Sequence, residues 1–560
     1  MATKTEKIDF SRKRLASQAD KYYNEGKYLS ALRLAHKELF LYGGDGDVYT
    51  RLSDIYESMG LHASALNYWY KFLDVADEED LPDVYEGLAV NYLNIGNETQ
   101  SAFYYNKLLD VDDSISPETR SEIIAAFTPE KKSPFRFTYP PELADYSKEI
   151  EVGAKAMKSG DFSKAIEHLC RVVKGSEQYM AAQETLAVAY LLADDKQKAE
   201  EICLAALQDE PDNMRILATL AAVYLETDKQ SQSREIALRL YAMKQETADD
   251  LYKVATVCCE NGLHKQAYEK FCQLEEKIPY DGRMLYFKAV SAYKSGEKKQ
   301  AELAFDQLCT VYPDAEVARY YLYALRSETE VEPDYFYHVP QEERELRANI
   351  LLNISNAGKE EAQLLGMIAE KSGTFLWAFD EMDGTDLELQ YLALTAAVHA
   401  CADEFICDVL LDYEVADVLK VETVRMLLER NEESEVGLVL CHIYRKVKLL
   451  PVSVGRKRRK KFIQSYAKTA SKFGIVCDDY ARKVSRATEK LYYALEKNGA
   501  LDVIDDTDAL ACAIFLTSGI KEIKESAEKA ALMFGANLVK VQEILAAALG
   551  EQKEKEHETH

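Results

Sequence analysis

The sequence has no uninterrupted apolar stretch approaching 18 residues, and its N-terminus, MATKTEKIDFSRKR, lacks the apolar run of a signal peptide. A helix needs about 20 apolar residues to cross a bilayer, so neither a span nor a secretory leader is expected, and the chain reads as soluble and cytoplasmic. Its 11 cysteines include no CxxC pair, so disulfides are not expected. Cys203, Cys258 and Cys309 are expected to pack inward as small core residues. His399, Cys401, Cys407, Cys441 and His442 fit no familiar zinc spacing, so no metal or cofactor is expected. Also missing are a GxxxxGK[ST] phosphate loop, an HExxH pair, a GxSxG elbow and a dinucleotide fingerprint, and GGDG at Gly43–Gly46 reads only as a glycine turn. Without these motifs the chain is not expected to be an enzyme. Excess positive charge is lacking too: the net charge of -27 and pI near 4.9 oppose a general affinity for nucleic acid or anionic membrane.

What the chain does have is a turn residue every 34 positions: Gly160, Asp194, Asp228, Gly262 and Gly296, with Gly26 and Gly60 at the same spacing and Gly96 36 residues later. Five residues after these turns stand Ala31, Ala65, Ala165, Ala199, Ala267 and Ala301, interrupted by Ser101 and Ser233. Seven residues before them stand Ala19, Ser53, Ala89, Gly153, Ala187, Ala221, Ala255 and Ala289. Nine after them fall Trp69, Tyr105, Leu169, Cys203, Phe271 and Phe305. Two helices per unit explain the pattern, because small residues at a crossing let the backbones approach while bulky ones fill the space beside them.

With Tyr56, Tyr92, Tyr190 and Tyr224 four residues before the turn, and Pro211, Pro279 and Pro313 seventeen after it, the pattern resembles the tetratricopeptide repeat (TPR) family over residues 10–325. Ala156, Cys258 and Ala292 stand where the family has tyrosine, with the other landmarks in phase. The resemblance implies an all-α fold, a solenoid of helical hairpins in which each repeat covers its apolar face with the next, leaving an extended concave surface and no enclosed catalytic pocket.

Residues 10–113 hold three repeats and 146–327 hold five with a capping helix, Glu316–Ser327. Between them, 114–145 is an insert carrying Pro117, Pro129, Pro134, Pro140 and Pro141, which cannot all lie in helix interiors. Its Phe135, Phe137 and Tyr139 are expected to pack against a repeat end, the alternative being a mobile binding arm. Residues 328–345, with EVEPDYFYHVPQEE, read as an acidic, aromatic linker. From 346 to 549 helical periodicity continues without the register, as in DLELQYLALTAAVHACADEFICDVLLDY, so a second, all-helical domain is expected before a charged tail at 550–560.

In the TPR family the first helix of each hairpin lines the groove, at positions thirteen, ten, six, three and two before the turn. The resemblance carries these onto Asp20, Asp47, Asp54, Glu57, Asp83 and Glu86 in the first block, a surface suited to a basic ligand. In the second block it carries them onto Val188, Leu191, Arg215, Leu225, Tyr252, Arg283, Tyr286, Val290 and Tyr293, suited to an extended or helical peptide. For either surface the alternative is a solvated face or one covered by another part of the chain. A TPR subclass grips chaperone C-termini with Lys and Asn from its opening helix; the matching positions here are Ala16 and Asp20, which would repel a carboxylate.

Residues 451–500 carry thirteen Lys or Arg against four Asp or Glu, centred on Arg456, Lys457, Arg458, Arg459, Lys460 and Lys461. The run is solvated, meets the acidic groove, or contacts nucleic acid. For the last, AEKAALMFGANLVKVQEIL (527–545) has the form of a helix-turn-helix with Gly535 in the turn, and residues 462–549 resemble the cyclin-like repeat of transcription factor B. Its second helix would offer mainly Lys540 and Gln542 to a major groove, and an ordinary helical hairpin is the competing reading. The leading expectation is a protein-interaction scaffold binding protein or peptide partners, with a nucleic-acid-associated regulator as the alternative.

Overall fold

All eight turn residues adopt the left-handed backbone that closes a helix: φ runs from 56° at Asp228 to 92° at Gly296. That conformation crowds a Cβ, which is why glycine holds six of the positions and aspartate, a residue that tolerates it, the other two. After each turn the next amide donates back to the carbonyl four residues before the turn, as from Leu61 to Tyr56 and Leu263 to Cys258, at 2.9 and 2.8 Å. The helix crossings are equally regular. The alanines five residues after the turns are fully buried, and the two serines that replace alanine are satisfied there. Ser101 Oγ donates to the Ala89 carbonyl at 2.8 Å and Ser233 Oγ to the Ala221 carbonyl at 2.9 Å, each reaching the small residue it crosses.

The computed structural model describes residues 11–112, 114–128, 140–329, 331–380, 386–452, 459–475, 477–520 and 526–550. Among them are 29 α-helices and one two-stranded sheet. The chain divides into two compact units, residues 1–127 with 340–560, and residues 128–339.

The first unit opens with three hairpins, Arg12–Asn24 with Tyr28–Tyr42, Gly46–Ser58 with His62–Val75, and Leu81–Asn94 with Glu98–Val111. Consecutive hairpins pack on one another. The helix Pro117–Ala126 follows with none of its residues buried, and the Phe127 ring lies 5.7 Å from that of Tyr105. Phe135, Phe137 and Tyr139 lie outside the described residues.

The later part of this unit is helical around one apolar core that runs from Leu351 to Ile544. Its centre is Thr507–Ser518, in which Ala509 to Phe515 are all buried, as a helix apolar on every side requires. The expectation of helix throughout needs one correction: Ser434–Leu440 (β1) and Ile443–Leu449 (β2) form an antiparallel hairpin. Its two-residue turn, Cys441–His442, has φ of 50° and 60°, the double left-handed geometry that matches strand twist.

The hairpin docks on the second helices of the N-terminal repeats. Tyr70 and Tyr104 hydroxyls donate to the His442 carbonyl at 2.7 and 3.0 Å, Gln100 Nε2 donates to the Cys441 carbonyl at 3.3 Å, and Tyr444 OH donates to Asp74 Oδ1 at 2.8 Å. Nearby, Lys71 pairs with Asp408 at 2.6 Å. Gly437 permits the approach, since a Cβ there would lie 2.2 Å from Asp74 Oδ1.

The second unit stacks five hairpins: Ser147–Lys158 with Phe162–Leu169, Tyr179–Leu192 with Lys196–Asp209, Met214–Glu226 with Gln230–Ala242, Ala248–Glu260 with His264–Glu275, and Gly282–Lys294 with Lys298–Val311. The helix Glu316–Arg326 packs on the last of them. No single described helix is long and apolar enough to cross a membrane; only the bent pair Ala527–Phe534 and Leu538–Leu549, at 115°, reaches that length and composition jointly.

Candidate peptide-binding grooves

On the first-block surface, Asp20, Asp54 and Glu57 come together. Burial, with the Glu57 and Asp20 carboxylates beside it and Arg51 opposing them, pushes the Asp54 carboxyl up to about 6. Much of this charge serves the fold. Arg51 Nε donates to Asp20 at 2.7 Å and its Nη1 to the buried Glu38 at 3.0 Å, while Glu57 accepts from Trp69 Nε1 at 3.1 Å and from the Asn91 amide. Asp47, Asp83 and Glu86 are exposed. Arg51, absent from the sequence-derived set, lies next to the projected groove positions and neutralises part of the cluster.

In the second unit, Val188, Leu191, Leu225, Tyr252 and Tyr293 are partly exposed and Arg215 and Arg283 are exposed, whereas Tyr286 and Val290 are buried. Arg215 bridges successive repeats, to Glu184 at 3.3 Å and Asp249 at 3.0 Å. The Tyr252 ring lies 6.4 Å from those of Phe271 and Phe287. The burial of Tyr286 has a specific cause: residues 331–339, expected as a linker, lie against it as a bent, non-helical strap.

The strap alternates in burial. Pro333, Tyr337 and Val339 are buried and Tyr335 is half-buried, while Glu332, Asp334, Phe336 and His338 face outward, and its backbone bends over 335–338, where the His338 amide donates to the Phe336 carbonyl at 2.9 Å. The one proton of Tyr286 OH is shared between the carbonyls of Asp334 and Phe336, at 2.8 and 3.1 Å, and Tyr321 OH donates to that of His338 at 2.8 Å. Successive outward residues therefore each give a main-chain carbonyl to a groove tyrosine. The Tyr335 hydroxyl meets His264 Nδ1 at 2.9 Å, its ring packs edge-on to Phe287, and Lys294 Nζ lies 5.8 Å from that ring's centroid and 3.9 Å from Asp334. The Tyr337 ring meets that of Tyr286 edge-on at 4.7 Å. Residue projection missed Tyr321, Phe287, His264 and the strap; the signal was the apolar alternation within EVEPDYFYHVP.

Of the basic run, Arg456, Lys457 and Arg458 lie outside the described residues, Arg459 opens the helix Arg459–Thr469, Lys460 is exposed, and Lys461 donates to the Ile504 carbonyl. Downstream, Lys468 pairs with Asp508 at 2.5 Å and Lys472 donates to the Met533 carbonyl at 2.9 Å. Ala527–Phe534 and Leu538–Leu549 form a hairpin through Gly535, at φ 63°. Lys540 on its second helix is paired with Asp505 at 2.8 Å, and Leu532 and Val539 are exposed.

No family model matches the chain and no curated protein matches its sequence. Among solved structures, it is similar to yeast Tom70 at 14% identity over 96% of each chain, with a TM-score of 0.26. It is similar to a tetratricopeptide repeat protein from Parabacteroides merdae at 14% identity over 53% of this chain and 99% of that one, TM-score 0.23. The TPR2AB domain of yeast Sti1, in a complex with pHSP90, matches at 14% identity over 48% of this chain and 98% of that one, TM-score 0.19. Superpositions this loose say nothing about arrangement; the repeat assignment rests on the chain's own register. With the left-handed turn, the small-residue crossing and consecutive packing recurring through three hairpins of one unit and five of the other, the chain has an all-α fold of stacked helical hairpins in the register that resembles the tetratricopeptide repeat.

Proposed function

We propose that the protein is an interaction scaffold, and that the second-unit groove binds non-helical peptide segments of protein partners. One observation carries the reading: this face already holds a non-helical segment of the chain by its main-chain carbonyls, through Tyr286 and Tyr321. Hydroxyls aimed at backbone acceptors, with apolar recesses for alternate side chains, are the means by which grooves take peptides of varied sequence. The strap meets His264, Tyr286, Phe287, Lys294 and Tyr321, and the groove positions earlier in the array include Val188, Leu191, Leu225 and the exposed Leu192. An incoming peptide would lie there, beside Arg215, which Glu184 and Asp249 already hold.

The acidic surface of the first block is the weaker candidate for a partner, because Asp20 and Glu57 already hold Arg51, Trp69 and Asn91. The test of the apolar groove is selection from a phage library of random peptides, followed by affinity measurement on the full chain. Selected peptides should lose at least tenfold in affinity (about 1.4 kcal/mol) to the Leu191→Glu, Leu225→Glu double variant, with helicity and melting temperature retained. Equal binding to wild type and variant would overturn the assignment.

A further inference from the structure

We propose that the strap 331–339 is a built-in competitor, and that the groove beneath it takes an external peptide of the strap's own chemistry. That ligand is a non-helical segment with aromatic, aromatic and aliphatic residues at alternate positions and an acid next to the first aromatic. The inference rests on the peptide-binding reading above and deepens it by naming the class of partner.

Three features argue for replacement rather than permanent structure. The hydroxyl-to-carbonyl bonds from Tyr286 and Tyr321 engage only main chain, so they do not depend on which side chains the bound segment carries. Selectivity then falls to the side chains pointing inward: Tyr335 between His264, Phe287 and Lys294, Tyr337 against Tyr286, and the buried Val339. Asp334 stands 3.9 Å from Lys294, which places a favourable site for an acid immediately before the first aromatic.

The second feature is that the outward face of the strap carries a large apolar residue in the open. Phe336 is 65% exposed and stacks on His338, itself exposed. A segment whose only task was to seal the groove would gain nothing from an aromatic on its solvent side. The third is attachment. The strap is tethered, so it competes at an effective concentration in the millimolar range. An untethered peptide meets a groove that is mostly occupied, and its apparent affinity falls by the fraction of time the strap is seated.

The experiment uses the full chain and a fluorescein-labelled peptide, VEPDYFYHVP, with a scrambled control, read by anisotropy. The Tyr335→Ser, Tyr337→Ser variant loosens the strap without touching the groove wall. It should bind the peptide at least tenfold more tightly than wild type, and adding Tyr286→Phe and Tyr321→Phe should reverse the gain at least tenfold. Should the loosened variant unfold, the wild-type chain is photo-crosslinked to the same peptide carrying benzoylphenylalanine in place of its second tyrosine. Crosslinks should map to the helices Gly282–Lys294 and Glu316–Arg326, and unlabelled peptide should compete them away.

No saturable binding to a folded, loosened variant, or crosslinks elsewhere on the chain, would overturn the proposal. A dimer in which the strap of one copy is crosslinked into the groove of another would also overturn it, since the occupant would then be a second copy. If library peptides bind around Leu191 and Leu225 while the strap peptide does not bind, this inference fails alone; if neither binds, the groove reading fails with it.

Discussion

Single residues decide how much of the acidic surface is available, and Asp54 is the clearest case. Its carboxyl is held near 6, chiefly by burial and then by Glu57 and Asp20, against the pull of Arg51. An unfolded aspartate releases its proton near 4. Between about pH 4 and 6 the folded state therefore retains a proton that the unfolded state has lost, and stability from this residue falls as pH rises through that window. Above 6 the loss is complete. Asp54→Asn should be more stable than wild type at pH 7.5 by no more than about 1 kcal/mol once solvent screening is allowed for, with the difference vanishing below pH 4. Urea unfolding at both values checks it; a difference independent of pH would mean that the charge is not the cause. The sequence placed these acids by register, but it could not show that Arg51 and Trp69 would claim two of them, because hydrogen-bond partners across a hairpin depend on side-chain direction rather than on spacing.

At the scale of elements, the repeating helices were legible and the exceptions were not, for a physical reason. A left-handed turn and a small-residue crossing leave the same fingerprint each time, so Gly26 through Gly296 could be read directly. The β1–β2 hairpin leaves no such mark: its turn is Cys441–His442 where Asn-Gly would be the usual signal, and its strands sit among helical segments. The strap hid for a different reason, since proline, acid and tyrosine together suggest a linker unless the alternation of Pro333, Tyr335, Tyr337 and Val339 is counted. The hairpin also yields a prediction. Gly437 lies so close to Asp74 and Leu411 that an added Cβ would meet Asp74 Oδ1 at 2.2 Å and Leu411 Cδ2 at 3.0 Å. Because Asp74 is itself held by Tyr444, it cannot swing away without losing that bond. Gly437→Ala should therefore destabilise the unit by about 1–3 kcal/mol, seen as a lower urea midpoint. A midpoint within error of wild type would show that the hairpin can shift at no cost.

For the molecule as a whole, the unit built from residues 1–127 and 340–560 contains both ends of the chain, with the repeats of 128–339 forming a unit of their own. The N-terminal hairpins and the C-terminal helices meet through Tyr70, Tyr104, Gln100 and Asp74 on one side and the hairpin backbone, Tyr444 and Lys446 on the other. Tyr413 adds a main-chain bond to Asn67 Oδ1 at 3.0 Å. Separating the two parts uncovers the Tyr70, Tyr92 and Tyr104 cluster, now buried, and leaves the His442 carbonyl without its donors. Water replaces the lost hydrogen-bond partners on separation, so the cost lies mainly in the apolar area exposed, at about 25 cal/mol per Å², set against the small margin on which a domain is stable. Residues 128–339, by contrast, carry their own capping helix and strap. Expressed alone, 128–339 should unfold in one cooperative transition. The fragment 340–560 alone should be poorly soluble or melt at a lower temperature, and co-expression with 1–127 should recover it as a co-purifying pair. Tyr70→Phe together with Tyr104→Phe should weaken that pairing at least tenfold, because both donors to one carbonyl are removed while the ring packing stays. If 340–560 proves equally stable with and without 1–127, the tyrosine-to-hairpin contact contributes no stability, and the two chain ends fold independently.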